Sequence, residues 1–132
     1  MNRGAAYLDS SALVKLVADE KESAALAGYL AGFPHRASSR LAMVELRRAA
    51  IKKGDAAMHE AELVLDRLEF VELDADVAGL AAEVQPLTLR SLDAIHLASA
   101  MSVTDGLDVI VTYDRRLADA AHVAGLSVAA PR

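Results

Sequence analysis

The chain contains no cysteine, so neither a disulfide nor a thiolate metal site is open to it. Tryptophan is also missing, and three Tyr and two Phe make up the whole aromatic complement. The core must therefore be aliphatic, and no aromatic platform for stacking bases is evident. No apolar run approaches the ~20 residues of a membrane span. Met1 to Arg3 form too short a lead before the first apolar run for a secretion signal, which makes the cytoplasm the default location. Positive charge is scarce: 14 Lys and Arg stand against 19 Asp and Glu, a net charge of −5. A nucleic-acid binder usually carries a basic footprint. Contact with nucleic acid would need local basic clusters, or a cation that offsets an acidic pocket.

What is present is a strongly apolar chain. Hydrophobic residues make up 54% of 132 positions, which excludes disorder and suits a single domain spanning 1–132. Ala5 to Leu8 reads as a short buried strand, capped into a helix by Asp9, Ser10 or Ser11. A helix is expected from Glu20 to Ala31, a strand from Arg36 to Ser39, and a helix from Arg40 to Lys53 capped by Ser38 or Ser39. Ala57, Ala61, Val64, Leu65 and Leu68 recur at helical spacing. Phe70 to Leu73 is the next expected strand, followed by a helix that Asp74 caps. Ser91 is expected to cap a helix carrying Asp93. Asp108 to Thr112 is the clearest strand, Asp114 opens the last helix, and Leu126 to Ala129 forms a final strand. Strands alternating with helices predict an α/β/α sandwich around a parallel sheet of four to five short strands.

Four acids stand out against this pattern. Asp9 lies at the end of the first strand, and Asp114 just beyond the strongest one. Asp93 is in the first turn of its helix, and Glu45 borders the buried face of its own. In open α/β sheets ligands bind beyond the carboxyl ends of the strands. Each acid has an ordinary role available: Asp9 and Asp114 as helix caps, Asp93 complementing a helix dipole, Glu45 pairing with Arg48. Gathered on one apolar rim they would repel one another, and burial would raise their pKa values. A hard divalent cation with a preference for oxygen ligands relieves both costs.

The segments LDSSALVKL, SSRLAMVELRRA, LRSLDAIHLASA and VTYDRRLADAA, in this order and spacing, resemble the PIN-domain family, and within it the VapC-type toxins of bacterial toxin–antitoxin pairs. The resemblance covers nearly the whole chain. It implies an endoribonuclease that depends on Mg²⁺, with Mn²⁺ as an alternative, and leaves 5′-phosphate and 3′-hydroxyl ends. It maps the family's acids onto Asp9, Glu45, Asp93 and Asp114. On this reading Asp9 and Asp93 are direct metal ligands, Glu45 orients the attacking water or binds the metal through water, and Asp114 completes the acidic shell. Ser10 and Thr112 are expected to hold carboxylates in place from behind. The implied partners are RNA, a VapB-like antitoxin and a second copy of the chain, with the helices at 21–31 and 57–68 as the docking side.

Arg47, Arg48, Lys52 and Lys53, together with Arg90, Arg115 and Arg116, flank three of the four acids and are candidates for steering RNA phosphates. His96 shares a helix face with Asp93 and reads as a packing residue. Two other classes compete with a nuclease. A PIN-like domain could bind RNA without cutting it. A phosphoacceptor receiver module needs paired acids after its first strand and a Lys ending its fifth; here a single Asp9 is followed by serines. An aspartyl phosphatase lacks its second Asp in Asp9-Ser10-Ser11.

Overall fold

The computed structural model describes residues 4–132. The lead from Met1 to Arg3, counted above against a secretion signal, lies outside them. The described residues form five strands and seven α-helices. In chain order these are β1 (Ala5–Leu8), α1 (Ser10–Val17), α2 (Ser23–Leu30), β2 (His35–Ser39), α3 (Leu41–Lys53) and α4 (Asp55–Asp66). There follow β3 (Glu69–Val71), α5 (Ala75–Glu83), α6 (Ser91–Ser102), β4 (Leu107–Val111), α7 (Arg115–Val123) and β5 (Val128–Ala129). The sheet runs β3-β2-β1-β4-β5, with every pair parallel. The expected α/β/α architecture is therefore present, at the upper end of the expected strand number.

The two-residue period of the strands sorts side chains into two cores. Ala6 and Leu8 of β1 and Val109 and Val111 of β4 face α1 to α4. Tyr7 of β1 and Ile110 of β4 face α6 and α7 on the other side. Both cores are mainly aliphatic. Ala42, Leu46 and Ala50 recur along α3 and Ala57, Ala61 and Leu65 along α4, so small residues let these two helices approach closely. Among the described residues no helix is long and apolar enough to cross a membrane.

Three helix starts follow expectation and three depart from it. Asp9, not Ser10 or Ser11, caps α1, through a bond from Ala12 N to its carboxylate. Asp74 and Asp114 cap α5 and α7 in the same way. Ser91 does not cap α6; it is the first helical residue, and Arg90 takes the cap position without a side-chain bond. At α3, Arg40 holds the cap position, while Ser39 Oγ accepts from Leu41 N at 3.1 Å. The second helix starts at Ser23 rather than Glu20, because Ser23 Oγ accepts from Glu20 N and donates to Ala18 O, which ties that stretch into a turn. Strand β5 is shorter than expected; Gly125, at φ 89°, turns the chain out of α7 just before it.

The sheet order reverses direction between β1 and β4. The next strand on from β1 along one side is β2, and along the other β4. The crevice beyond the carboxyl ends of these two central strands is where such a fold places a ligand.

The aliphatic core makes a direct stability contrast. Leu46 is fully buried on α3, whereas Ile51 on the same helix is 62% exposed. Leu46→Ala is expected to cost ~2–5 kcal/mol, and Ile51→Ala to stay within ~0.5 kcal/mol. Denaturant midpoints read both; equal losses would contradict the burial described here.

Candidate active site

All four acids identified from sequence meet. Asp9, Glu45, Asp93 and Asp114 line a single pocket of about 360 Å³ at the carboxyl edge of the sheet, together with Ser10, Ser11 and Arg90. They arrive there from β1, α3, α6 and the turn after β4. A larger cavity of about 650 Å³ lies elsewhere, among Pro86, Leu89, Ala120 and Val123. It is mainly apolar and contains none of the four acids.

Asp9 is the most confined, with 2% of its surface exposed. Its Oδ1 accepts from Ser11 Oγ at 2.7 Å and from Ala12 N at 3.0 Å. Its Oδ2 accepts from Thr112 Oγ1 at 2.6 Å. Both hydroxyls are themselves oriented by the β4–α7 turn: Tyr113 N donates to Ser11 Oγ and Asp114 N to Thr112 Oγ1. With those backbone donors on their lone pairs, the hydroxyl hydrogens are left to point at Asp9. Thr112, one of the two hydroxyl residues singled out from the sequence, is hydrogen-bonded to Asp9. Ser10 lines the pocket, but the serine hydroxyl bonded to Asp9 is that of Ser11. The LDSSA segment offered both serines; the choice rests on Ser11 reaching across to the backbone of Tyr113.

Burial pushes the Asp9 carboxyl above its ordinary pKa, against the pull of the Thr112 and Ser11 hydroxyls. Asp93 is displaced the same way, first by burial and then by the negative charge of Asp114; Arg90 opposes the shift. The Arg90 guanidinium bridges the two carboxylates, 3.4 Å from Asp93 Oδ2 and 3.4 Å from Asp114 Oδ2. Asp114 Oδ1 accepts from Leu117 N as the α7 cap.

Glu45 does not pair with Arg48. Its Oε1 accepts from His96 Nε2 at 2.8 Å. His96 is 1% exposed, and its Nδ1 stands 2.7 Å from the Tyr7 hydroxyl. Sequence spacing places His96 one helical turn from Asp93. Nothing in spacing, however, reveals a partner on α3. Of the basic candidates, Arg90 reaches the acids. Arg47 is instead forked onto Glu62 of α4, at 2.8 and 3.0 Å, and Arg116 lines the apolar cavity.

An acid pocket at the switch point of a parallel sheet offers oxygen donors only, the set a hard divalent cation takes. Among the described residues, no group of three or more His, Asp or Glu side chains is placed to hold a metal ion unaided.

These features define an α/β protein with an oxygen-donor site. Residues 6–123 match the PIN domain family. The chain is 45% identical to Ribonuclease VapC46 of Mycobacterium tuberculosis, over 96% of its own length and 98% of the relative's. It is 40% identical to Ribonuclease VapC47 from the same species, over 95% and 96%. The chain belongs to the PIN-domain family, among the VapC ribonucleases. Solved structures share the fold at low sequence identity. A toxin–antitoxin complex from Klebsiella pneumoniae superposes with TM-score 0.72 at 24% identity, over 96% of this chain and 98% of that one. VapC20 of Mycobacterium tuberculosis, a sarcin–ricin-loop-cleaving toxin, gives 0.73 at 16%, over 96% and 99%.

The raised Asp93 pKa fixes the sign of a stability effect. A carboxylate whose pKa is higher folded than unfolded helps stability below its unfolded value of ~3.9, and that help is lost as pH rises through the folded value. Asp93→Asn is therefore expected to raise the thermal midpoint of the metal-free protein at pH 7. The gap should close as pH falls below the folded pKa. Midpoints by calorimetry from pH 4 to 8 test this; a variant less stable at pH 7 would mean that Asp93 is held by favourable partners.

Proposed function

We propose that the protein is a divalent-metal-dependent endoribonuclease, the toxin of a toxin–antitoxin pair, acting in the cytoplasm as a single domain. The observation that carries the reading is the convergence of four carboxylates, from four separate segments, on one pocket. Two of them, Asp9 and Asp93, have charged forms disfavoured by burial. Asp9 and Asp93 would hold Mg²⁺ or Mn²⁺. Bound there, such an ion supplies electrophilic stabilisation of a phosphate oxygen and lowers the pKa of water. Glu45, on the opposite helical layer from Asp93, orients the attacking water and takes up its proton. Asp114 adds negative charge that strengthens cation binding. Ser11 and Thr112 keep the Asp9 carboxylate from rotating. Arg90, at the rim and 72% exposed, is free to exchange its carboxylate contacts for an RNA phosphate.

For partners, Ile51 of α3 and Met58 of α4 are exposed and line one pocket with Ala50 and Ala61. This apolar patch suits a second copy of the chain or the amphipathic helix of a VapB-like antitoxin.

Three outcomes are expected with purified protein. EDTA should abolish cleavage of total RNA, and Mg²⁺ or Mn²⁺ should restore it; undiminished cleavage in EDTA would end the metal reading. Asp93→Asn should lose activity by on the order of 100-fold or more, at least the upper range seen for removing an outer-shell partner. Because attack by water does not use the 2′-hydroxyl, mapped products should begin with 5′-phosphate, and 2′,3′-cyclic phosphate ends would exclude this chemistry.

A further inference from the structure

The contact between His96 and Glu45 goes beyond the set of acids. His96 comes from α6 and Glu45 from α3, on opposite faces of the sheet. Their bond crosses the carboxyl edge and is the side-chain bond that holds Glu45. Behind it, the ring meets Tyr7, which is wholly buried on the central strand. The two rings stand edge to face, with centroids 5.8 Å apart and planes at 77°. A carboxylate only accepts hydrogen bonds, and a neutral imidazole donates from one nitrogen and accepts at the other. With Nε2–H given to Glu45, Nδ1 is left bare to accept from the Tyr7 hydroxyl. A tyrosine hydroxyl, with an ordinary pKa of about 10, keeps its hydrogen at neutral pH, and that of Tyr7 stands 2.7 Å from Nδ1. The order Tyr7 O–H to Nδ1, Nε2–H to Glu45 Oε1 satisfies every member. Among the described residues no buried side-chain nitrogen or oxygen lacks a partner.

We propose that His96 is the positioning residue for Glu45, with Tyr7 fixing the Nε2–H tautomer that makes it a donor. The bond occupies Oε1 and holds the carboxylate in one rotamer, which leaves Oε2 for the pocket that Glu45 lines. Tyr7 is anchored in the strand that ends at Asp9, so two of the site's carboxylates are referred to the same rigid element. This rests on the nuclease reading for the use made of Glu45, but the tautomer and the bond stand independently of it.

Tyr7→Phe is the least intrusive test, since it removes one buried oxygen and keeps the ring. Nitrogen NMR of the wild type should show His96 protonated on Nε2 and bare on Nδ1, with the ring shifting to a tautomer mixture in Tyr7→Phe. On an RNA that the wild type cleaves in Mg²⁺, Tyr7→Phe should lower kcat by ~10-fold, and His96→Leu by up to ~100-fold, with KM little changed. His96→Gln, which keeps a donor at the distal nitrogen, should recover part of the His96→Leu loss. A wild-type ring protonated on Nδ1, neutral or charged, overturns the proposal. So does kcat per folded molecule equal to wild type in both Tyr7→Phe and His96→Leu, which is what a purely packing role predicts. A wild type with no metal-dependent cleavage would instead sink the nuclease reading, and the NMR would still decide the tautomer.

Discussion

The fold is organised around a charge that it has to keep in its interior. Asp9 stands at the junction of the two central strands, 2% exposed, and three hydrogen bonds converge on it. An unpaired buried carboxylate would cost several kcal/mol, so each of those donors is needed. One comes from the first turn of α1, one from Ser11 in the same turn, and one from Thr112 at the end of β4. The same group therefore caps a helix and clamps β1 to β4, where the backbone pairing ends with Asp9 N on Val111 O at 3.3 Å. Moving the carboxylate would uncouple the helix from both strands. The rigidity of the site is thus a by-product of how the core closes.

The pattern legible in sequence was the one carried by periodicity. Strand β1 was placed to the residue, and Asp74 and Asp114 were placed as caps, because an acid after a short apolar run and before a helical repeat has few other uses. The four acids were legible as a set because a parallel α/β sheet sends the ends of its strands to one edge. The partners that orient them were harder to read. Ser10 and Ser11 are adjacent and chemically identical; only the return of Tyr113 to the edge of β1 selects Ser11. Ser91 looked like a cap by composition, but Arg90 enters α6 with extended backbone and turns its guanidinium to Asp93 and Asp114 instead. His96 read correctly as buried, yet its polar partners, Tyr7 and Glu45, are 89 and 51 residues away. Long-range polar pairing leaves no periodic trace in a single chain.

Each acid proved to have an ordinary structural use, and this does not compete with a chemical one. A carboxylate has about four acceptor positions on its two oxygens. Asp114 spends one oxygen on its helix cap and turns the other to Arg90. Among the described residues, Asp93 is engaged through Oδ2 and Glu45 through Oε1, so each keeps an oxygen for the pocket. The structural bond sets the direction of the remaining oxygen. An acid bound at one end is a better ligand than a free one, because less side-chain entropy is lost when a cation or a water is taken up.

Arg90 sharpens the same point from the side of charge. Its guanidinium spans Asp93 and Asp114 at 3.4 Å to each, long for a charge-assisted bond, while the side chain remains 72% exposed. At that exposure and distance the contact is worth little. It moderates the repulsion between the two carboxylates without closing the pocket. A tighter, buried pairing would neutralise the acids permanently and leave no reason for a cation to enter. A loose one keeps the field strongly negative and leaves the guanidinium available to an incoming phosphate. The weakness of the bridge therefore leaves the acids open to a cation and the guanidinium open to an anionic group, which is what the proposed reading requires of a protein whose net charge is −5.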